Sequence, residues 1–336
     1  MANDLLGQPR SIAILRALQL GDLLCAVPAW RALRASLPKS HIALVGLPWA
    51  RAFVKRFPRY IDEFIEFPGY PGLPERPVAV GDVPGFLSYM QARHFDLALQ
   101  MHGSGHFVNE IVMLFGARAA AGFYMPGEWC ADESRFLSYP EGVSEIRRHL
   151  RLMDFLGVPL QGEELEFPLT PEDKEALMAV EETRNLSPRG YACLHPGGRG
   201  GNRRWLPEEF GRVGDALATR GLQVVMTGTA EETDVARTVE RTMRSRPINL
   251  VGRTDLGALG VLMSRARLLV ANDTGVSHIA SALRLPSVIV VTGSDPMRWG
   301  PFDRRRHRLL SGPTATVASV MKEVDSLLLD EADAAA

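Results

Sequence analysis

Residues 267–293 read RLLVANDTGVSHIASALRLPSVIVVTG, and the order of residue types in this stretch decides the fold. The apolar run RLLVA has the length and composition of a buried strand. It stops at Asn272 and Asp273, turns on Thr274 and Gly275, and gives way to a small-residue helix with His278 in its first turn. A second apolar run, SVIVV, follows at 287–291. Strand, helix and strand in this order build a parallel sheet with crossover helices. The glycine turn also leaves the first N–H groups of the helix without partners in the helix, facing outward as a place for an anion.

The same grammar runs through the chain. In the first half the strand candidates are SIAILRA (11–17), HIALVGL (41–47) and DLALQMH (96–102). Between the first two, Leu23, Leu24, Val27, Trp30, Leu33 and Leu37 recur at helical spacing. The second half adds YACLHPG (191–197), LQVVMTG (222–228) and INLVG (248–252). Nearly every run ends in Gly, Asn or Asp before a helix, at the carboxyl edge where open parallel sheets bind ligands. The fold class is therefore α/β, with two Rossmann-like lobes facing each other. Residues 67–85, dense in Pro and Gly, read as a loop. The charged segment 166–190 opens with a Thr-Pro-Glu-Asp helix signal and marks the boundary, giving lobes 1–168 and 169–336. The final helix is free to pack back on the first lobe, and the tail DEADAAA should fray.

A chain of 336 residues suits two domains. With 38 Lys+Arg against 39 Asp+Glu there is no global basic field to hold nucleic acid, so an anion site has to be local. Cys25, Cys130 and Cys193 are odd in number and far apart, which fits the free thiols of a cytosolic protein. Arg16, Gln19 and Asp22 interrupt the N-terminal apolar run, which excludes an export leader and a spanning helix there. The clusters RRHLR (147–151) and DRRRHR (303–308) could meet anionic lipid, although a solvated charged face is the commoner meaning of each.

Four stretches carry candidate chemistry. In LQLGDLL (18–24) the Gly-Asp pair is either a turn glycine with a helix-capping aspartate, which generic propensity favours, or a carboxylate placed to take a proton from an acceptor hydroxyl. Spacing does not separate the two. In HPGGRGGNRRW (195–205), Gly197 and Gly198 allow close backbone approach, and Arg199, Arg203 and Arg204 offer guanidinium donors to phosphate. The loop is neither a Walker motif nor a G-x-G-x-x-G fingerprint, which disfavours a nucleotide hydrolase of that type and a dehydrogenase. Glu231 and Glu232 open a helix after a strand; they serve either as plain helix starters or as acceptors for ribose hydroxyls. Asp273, Thr274, Gly275 and His278 complete the set, with TGSDPMRWGPF (292–302) as a further loop at the same edge. His102 and His106 have i,i+4 spacing without a third ligand, so zinc is disfavoured. Ordinary loop polarity, or for His102 contact with the acceptor, suits them better, and Arg51, Lys55 and the 67–85 loop are further acceptor-side candidates.

Taken in order, ILRALQLGDLLCAVPAWRALRASLP, FDLALQMHG, LHPGGRGGNRRWLPEEF, ANDTGVSHIASAL and TGSDPMRWGPF resemble glycosyltransferase family 9, the ADP-heptose:lipopolysaccharide heptosyltransferases, over nearly the full chain. The resemblance implies a GT-B fold, an acceptor-binding first lobe, an ADP-sugar-binding second lobe and inversion at the anomeric carbon. It puts Asp22 as base, Arg203 as phosphate cation, Glu232 near the ribose, and Asp273, Thr274, Gly275 and His278 around the diphosphate. One departure is visible: family members commonly carry Lys before the Trp-Pro helix start, whereas this chain has Arg203 and inserts Leu206 before Pro207. Either Arg203 or Arg204 can then be the phosphate cation.

The resulting expectation is a cytoplasmic transferase, in contact with the cytoplasmic face of the inner membrane, acting on a glycan or glycolipid acceptor. No tightly bound cofactor or metal is expected; the ADP-sugar is a co-substrate and a divalent cation is at most stimulatory. A sugar-nucleotide epimerase or hydrolase and a non-catalytic sugar-nucleotide binder are the alternatives.

Overall fold

The computed structural model describes residues 8–335, and the chain divides into two compact units between Glu164 and Leu165. In the first unit β1 (Ser11–Leu15) leads into α1 (Leu20–Ser36), and β2 (His41–Gly46) into α2 (Ala50–Val54). Strand β3 (Glu63–Glu66) reaches α3 (Asp82–Ala92) through the proline-rich loop, so the loop expected over 67–85 ends where α3 begins. Next come β4 (Leu97–Gln100), α4 (Val108–Met113), β5 (Ala119–Tyr124), β6 (Phe136–Ser138) and α5 (Glu145–Phe155). The six strands are parallel in the order β3-β2-β1-β4-β5-β6, with Ile12 opposite Ile42 on one side and Leu97 on the other. Ile12 to Leu15 are fully buried, as a central parallel strand covered on both faces must be.

The second unit opens with α6 (Pro171–Met178), followed by β7 (Tyr191–His195), α7 (Pro207–Thr219), β8 (Gln223–Met226) and α8 (Thr233–Thr242). Strand β9 is only Ile248–Asn249, shorter than the apolar run INLVG suggests, and precedes α9 (Leu256–Arg265). Then come β10 (Leu268–Asn272), α10 (Gly275–Ala282), β11 (Ser287–Val291), α11 (Pro296–Trp299), β12 (His307–Ser311) and α12 (Val317–Ala335). The sheet order β12-β11-β10-β7-β8-β9, counted from its own first strand, repeats that of the first unit. In both, the order reverses between the first and fourth strands, β1/β4 and β7/β10. A crevice opens at such a reversal because the two crossovers leave to opposite sides.

Local chemistry accounts for the helix starts. Thr170 and Asp173 form a capping box, with Asp173 N donating to Thr170 Oγ1 at 3.3 Å and Thr170 N donating to Asp173 Oδ2 at 2.9 Å, and Pro171 sits at the first helical position. This helix belongs wholly to the second unit. Phe167 and Leu169 press on α9 so closely that a Cβ at Gly260 would lie 2.4 Å from Phe167 Cε1, which explains a division just before Phe167. Helix α12 packs on α7, β11 and β12 of its own unit, with Val320, Val324 and Leu327 in the same core as Phe210, Leu217, Val288 and Val290. The tail expected to fray is helical to Ala335; Ala336 lies outside the described residues, as do residues 1–7 of the leader reading.

The first basic cluster departs from the solvated-face reading at Arg148 and His149, and the second keeps it except at His307. In 147–151, Arg148 and His149 are buried around Glu145, with Arg148 bonded to one carboxylate oxygen and His149 Nε2 3.3 Å from the other. In 303–308, His307 is buried with Nδ1 2.8 Å from Ser287 Oγ, and Arg308 reaches Asp330 at 3.0 Å. The first segment lies in α5 with Arg147 and Arg151 facing outward, whereas Asp303, Arg304 and Arg305 of the second form an exposed turn ahead of β12. Among the described residues no helix is long and apolar enough to cross a membrane.

These histidines make stability depend on pH. Burial pushes His149 and His307 from the usual 6.5 down to about 4. The unfolded chain binds protons there from pH 6.5 and the folded chain only near 4, so stability falls as pH is lowered through that window. Each contributes up to about 3 kcal/mol. Denaturant midpoints are expected to drop between pH 7 and pH 5; equal midpoints would contradict neutral buried imidazoles.

Candidate active site

Four of the sequence motifs meet at the β7/β10 reversal of the second unit. Asn272, fully buried at the end of β10, joins them: its Oδ1 accepts from Trp205 N at 2.9 Å, and its Nδ2 donates to Pro196 O and Gly197 O at 2.8 and 3.0 Å. One amide thus fastens the glycine loop to β10. Asn272→Ala would leave three buried backbone groups unpaired, at about 3 kcal/mol. The melting temperature is expected to drop by roughly 6–12 °C; an unchanged melt would refute this role.

The glycines are needed for close approach. A Cβ at Gly197 would lie 2.2 Å from the Glu232 carboxyl carbon, and one at Gly198 would lie 3.2 Å from Thr274 Cγ2. The loop backbone, Glu232 and Thr274 are therefore in direct contact. Gly200, at φ +83, supplies the left-handed bend that turns the loop toward Arg203. Arg204 folds back, donating from Nε to Gly198 O at 2.7 Å, while Arg199 and Arg203 are exposed. Glu232 is buried; its Oε2 accepts from Thr229 N at 2.8 Å and lies 3.9 Å from His195 Nε2. His195, at the end of β7, is itself buried with Nδ1 3.0 Å from Thr227 Oγ1, and burial holds it below its usual pKa although Glu232 pulls the other way.

Thr274 caps α10 in extended geometry without a side-chain cap bond, and its buried Oγ1 has no hydrogen-bond partner among the described residues. Helix dipole, unsatisfied N–H groups and this hydroxyl share one point. The Asp273 carboxylate accepts from Ser277 at 3.3 Å and from Ser294, tying α10 to the loop after β11. His278 is buried in the first turn of α10, its ring 6.2 Å from and nearly perpendicular to that of Trp299. Arg304 stands close enough to Asp273 for the carboxylate to counter the downward push of burial on its guanidinium. His195, Asn272 and Arg304 were not singled out by the sequence. The signal for the first two was their place as the last residue of a strand, directly before a glycine turn.

In the first unit the β1/β4 reversal sets the β1–α1 turn, which leads to Asp22, against His102. Asp22 is the third residue of α1 rather than the N-cap, and its Oδ2 accepts from Gln19 N at 3.2 Å as part of a capping box. His102 is buried; its Nδ1 accepts from Ala17 N at 3.2 Å, which puts the ring proton on Nε2, 3.5 Å from Glu75 Oε1 in the proline-rich loop. His106 is exposed and pairs with Glu128 at 2.9 Å, so the two histidines serve different partners. Arg51 lies over Phe64 and 3.8 Å from Glu66, and Lys55 is exposed at the end of α2; neither joins the Asp22–His102 group. Among the described residues no three His, Cys, Asp or Glu side chains are placed to hold a metal ion.

Comparison with solved structures defines the class. The fold matches the glycosyltransferase family 9 crystal structure from Veillonella parvula (TM-score 0.80, 19% identity, covering 96% of this chain and 97% of that one). It also matches the Escherichia coli ADP-heptose lps heptosyltransferase II (TM-score 0.77, 21% identity, 96% and 99% covered). The chain has the GT-B fold. By sequence it is 24% identical over 345 residues to lipopolysaccharide heptosyltransferase 2 of Salmonella typhimurium, covering 93% of this chain and 97% of that protein. The sequence model of glycosyltransferase family 9 (heptosyltransferase) matches residues 87–326, and the chain belongs to that family. It is a glycosyltransferase.

Proposed function

We propose that this enzyme moves a heptose from ADP-heptose onto a lipopolysaccharide-core or related glycan acceptor, inverting the anomeric carbon. The observation that carries the donor half is the unsatisfied N-terminus of α10, where the buried, unpartnered Thr274 hydroxyl meets the Gly197–Gly198 backbone and Glu232. A diphosphate satisfies N–H groups and hydroxyl together. Glu232, with one oxygen committed to Thr229, keeps the other for a ribose hydroxyl. Asp273 acts by ordering Ser277 and Ser294, since a carboxylate set directly against phosphate is repelled.

In the reaction an acceptor hydroxyl oxygen attacks the anomeric carbon, the bond from that carbon to the β-phosphate oxygen breaks, and ADP departs. Asp22 takes the hydroxyl proton. Charge growing on the leaving phosphate is met by the α10 N–H groups, by His278 and by Arg203, the exposed and therefore movable member of the arginine pair; Arg204 is committed to Gly198. Such preorganised donors are worth roughly 3 kcal/mol each in the transition state. The acceptor side falls to Asp22 and His102, with Arg51 and Lys55 farther along the same sheet edge. A glycolipid acceptor places the enzyme in the cytoplasm, at the cytoplasmic face of the inner membrane.

A thermal-shift series with ADP, UDP, GDP and CMP tests the donor. ADP at a hundredfold over its Kd should add about 2.7 kcal/mol of stability. A larger shift with UDP would overturn the ADP assignment. Incubation with ADP-heptose alone separates transferase from hydrolase, because rapid release of free sugar belongs only to the latter.

A further inference from the structure

We propose that Arg16 is a positioning residue for Asp22 and that Glu145 keeps it in that role; this rests on the reading of Asp22 as proton acceptor. Arg16 is fully buried at the turn out of β1. Its Nε and Nη2 both donate to the main-chain carbonyl of Asp22, at 2.9 and 2.7 Å, and its Nη1 donates to Met101 O. Nη2 also faces Glu145 Oε1 at 3.2 Å, whereas the Asp22 carboxylate stays 3.9 Å away. The guanidinium therefore grips the backbone of Asp22 without a hydrogen bond to its carboxylate, whose Oδ2 accepts from Gln19 N and whose Oδ1 is only in a long ion pair with Nη2. Met101 precedes His102, whose ring accepts from Ala17 N, so one side chain ties the β1–α1 turn to the end of β4 across the strand-order reversal.

Burying a guanidinium needs a compensating charge. Glu145, on α5 and itself buried, supplies it and holds Arg148 as well. Two guanidiniums and one glutamate leave one positive charge, because burial and the nearby Arg16 keep His149 neutral. Asp22 as a carboxylate closes the balance. Without the pull of Glu145, Arg16 would turn onto that carboxylate in a bidentate pair, the strongest use of an arginine fork, and occupy the oxygens that must take a proton.

Two conservative variants test this. Arg16→Lys keeps the charge facing Glu145, but an ammonium cannot span Asp22 O and Met101 O as a planar fork does. Glu145→Gln keeps shape and removes the charge. For each, kcat is expected to fall on the order of a hundredfold, the scale of a small misplacement of a reacting group. KM for the sugar nucleotide and ADP affinity should remain unchanged, since those belong to the second unit. Placed in an Asp22→Asn background, Arg16→Lys should add no further loss. Parental kcat in either variant overturns the proposal, as does a fall in ADP affinity that tracks kcat and marks general structural damage. Failure of the underlying reading is distinct: Asp22→Asn would then remain active, whereas an inactive Asp22→Asn beside a fully active Arg16→Lys removes only the positioning role.

Discussion

Asp22→Asn should lose sugar transfer by on the order of 10²–10⁴-fold in kcat, the usual contribution of a positioned general base. The substitution is chosen because it retains the structural duty of the side chain. Asp22 Oδ2 accepts the Gln19 N–H at 3.2 Å, and an asparagine carbonyl accepts the same bond. The main-chain carbonyl held by Arg16 is untouched. Helix α1 therefore keeps its start and ADP affinity should match the parent, while the melting temperature falls because the charge that balances Arg16 is lost. The capping and catalytic readings, which spacing leaves level, then give opposite results: an aspartate that only caps would tolerate Asn with full turnover. Retained transfer removes Asp22 from the chemistry.

The second large effect belongs to Gly197→Ala. The added Cβ would lie 2.2–2.4 Å from the Glu232 carboxyl atoms, closer than real carbon atoms approach. Either the glycine loop or the carboxylate has to move, and the loop is fastened by Asn272. Overpacking of this kind costs about 1–3 kcal/mol of stability. If Glu232 is displaced from a ribose hydroxyl, the lost charge-assisted bond, about 1.5–3 kcal/mol, weakens ADP binding roughly ten- to hundredfold. Gly198→Ala is the internal control. Its Cβ would meet a methyl group of Thr274 at 3.2 Å and the Arg203 carbonyl oxygen at 3.3 Å, contacts that a few tenths of an ångström relieve. Calorimetric ADP affinity should rank Gly197→Ala far below Gly198→Ala; the reverse order would refute close approach as the reason for the glycines.

The open end of α10 was legible early because strand-to-helix joins leave a local record: an apolar run, a glycine turn and a helical period are properties of neighbouring residues. The same holds for the capping box at Thr170 and for the α1 repeat. Strands β3, β6 and β12 left no such record, since edge strands of a few residues, two of them charged, are too short to show a period, and β5, an inner strand, opens with three alanines and a glycine that give no strand signal. The unit boundary was read a few residues late because Phe167 and Leu169 look like linker until Gly260 opposite them is known.

By itself the sequence determined the α/β class, the two-unit division and the residue types that could hold a diphosphate, because each depends on local pattern. Only the tertiary structure decided what stands beside what. The strand order placed Gly197 against Glu232, Thr274 beside Gly198, and Ala17 against His102, joining residues tens of positions apart. It also buried Arg148 and His149 of RRHLR around Glu145, the counter-charge of Arg16, because a charge buried in the interior is stable only beside its counter-charge, and that neighbour comes from another part of the chain.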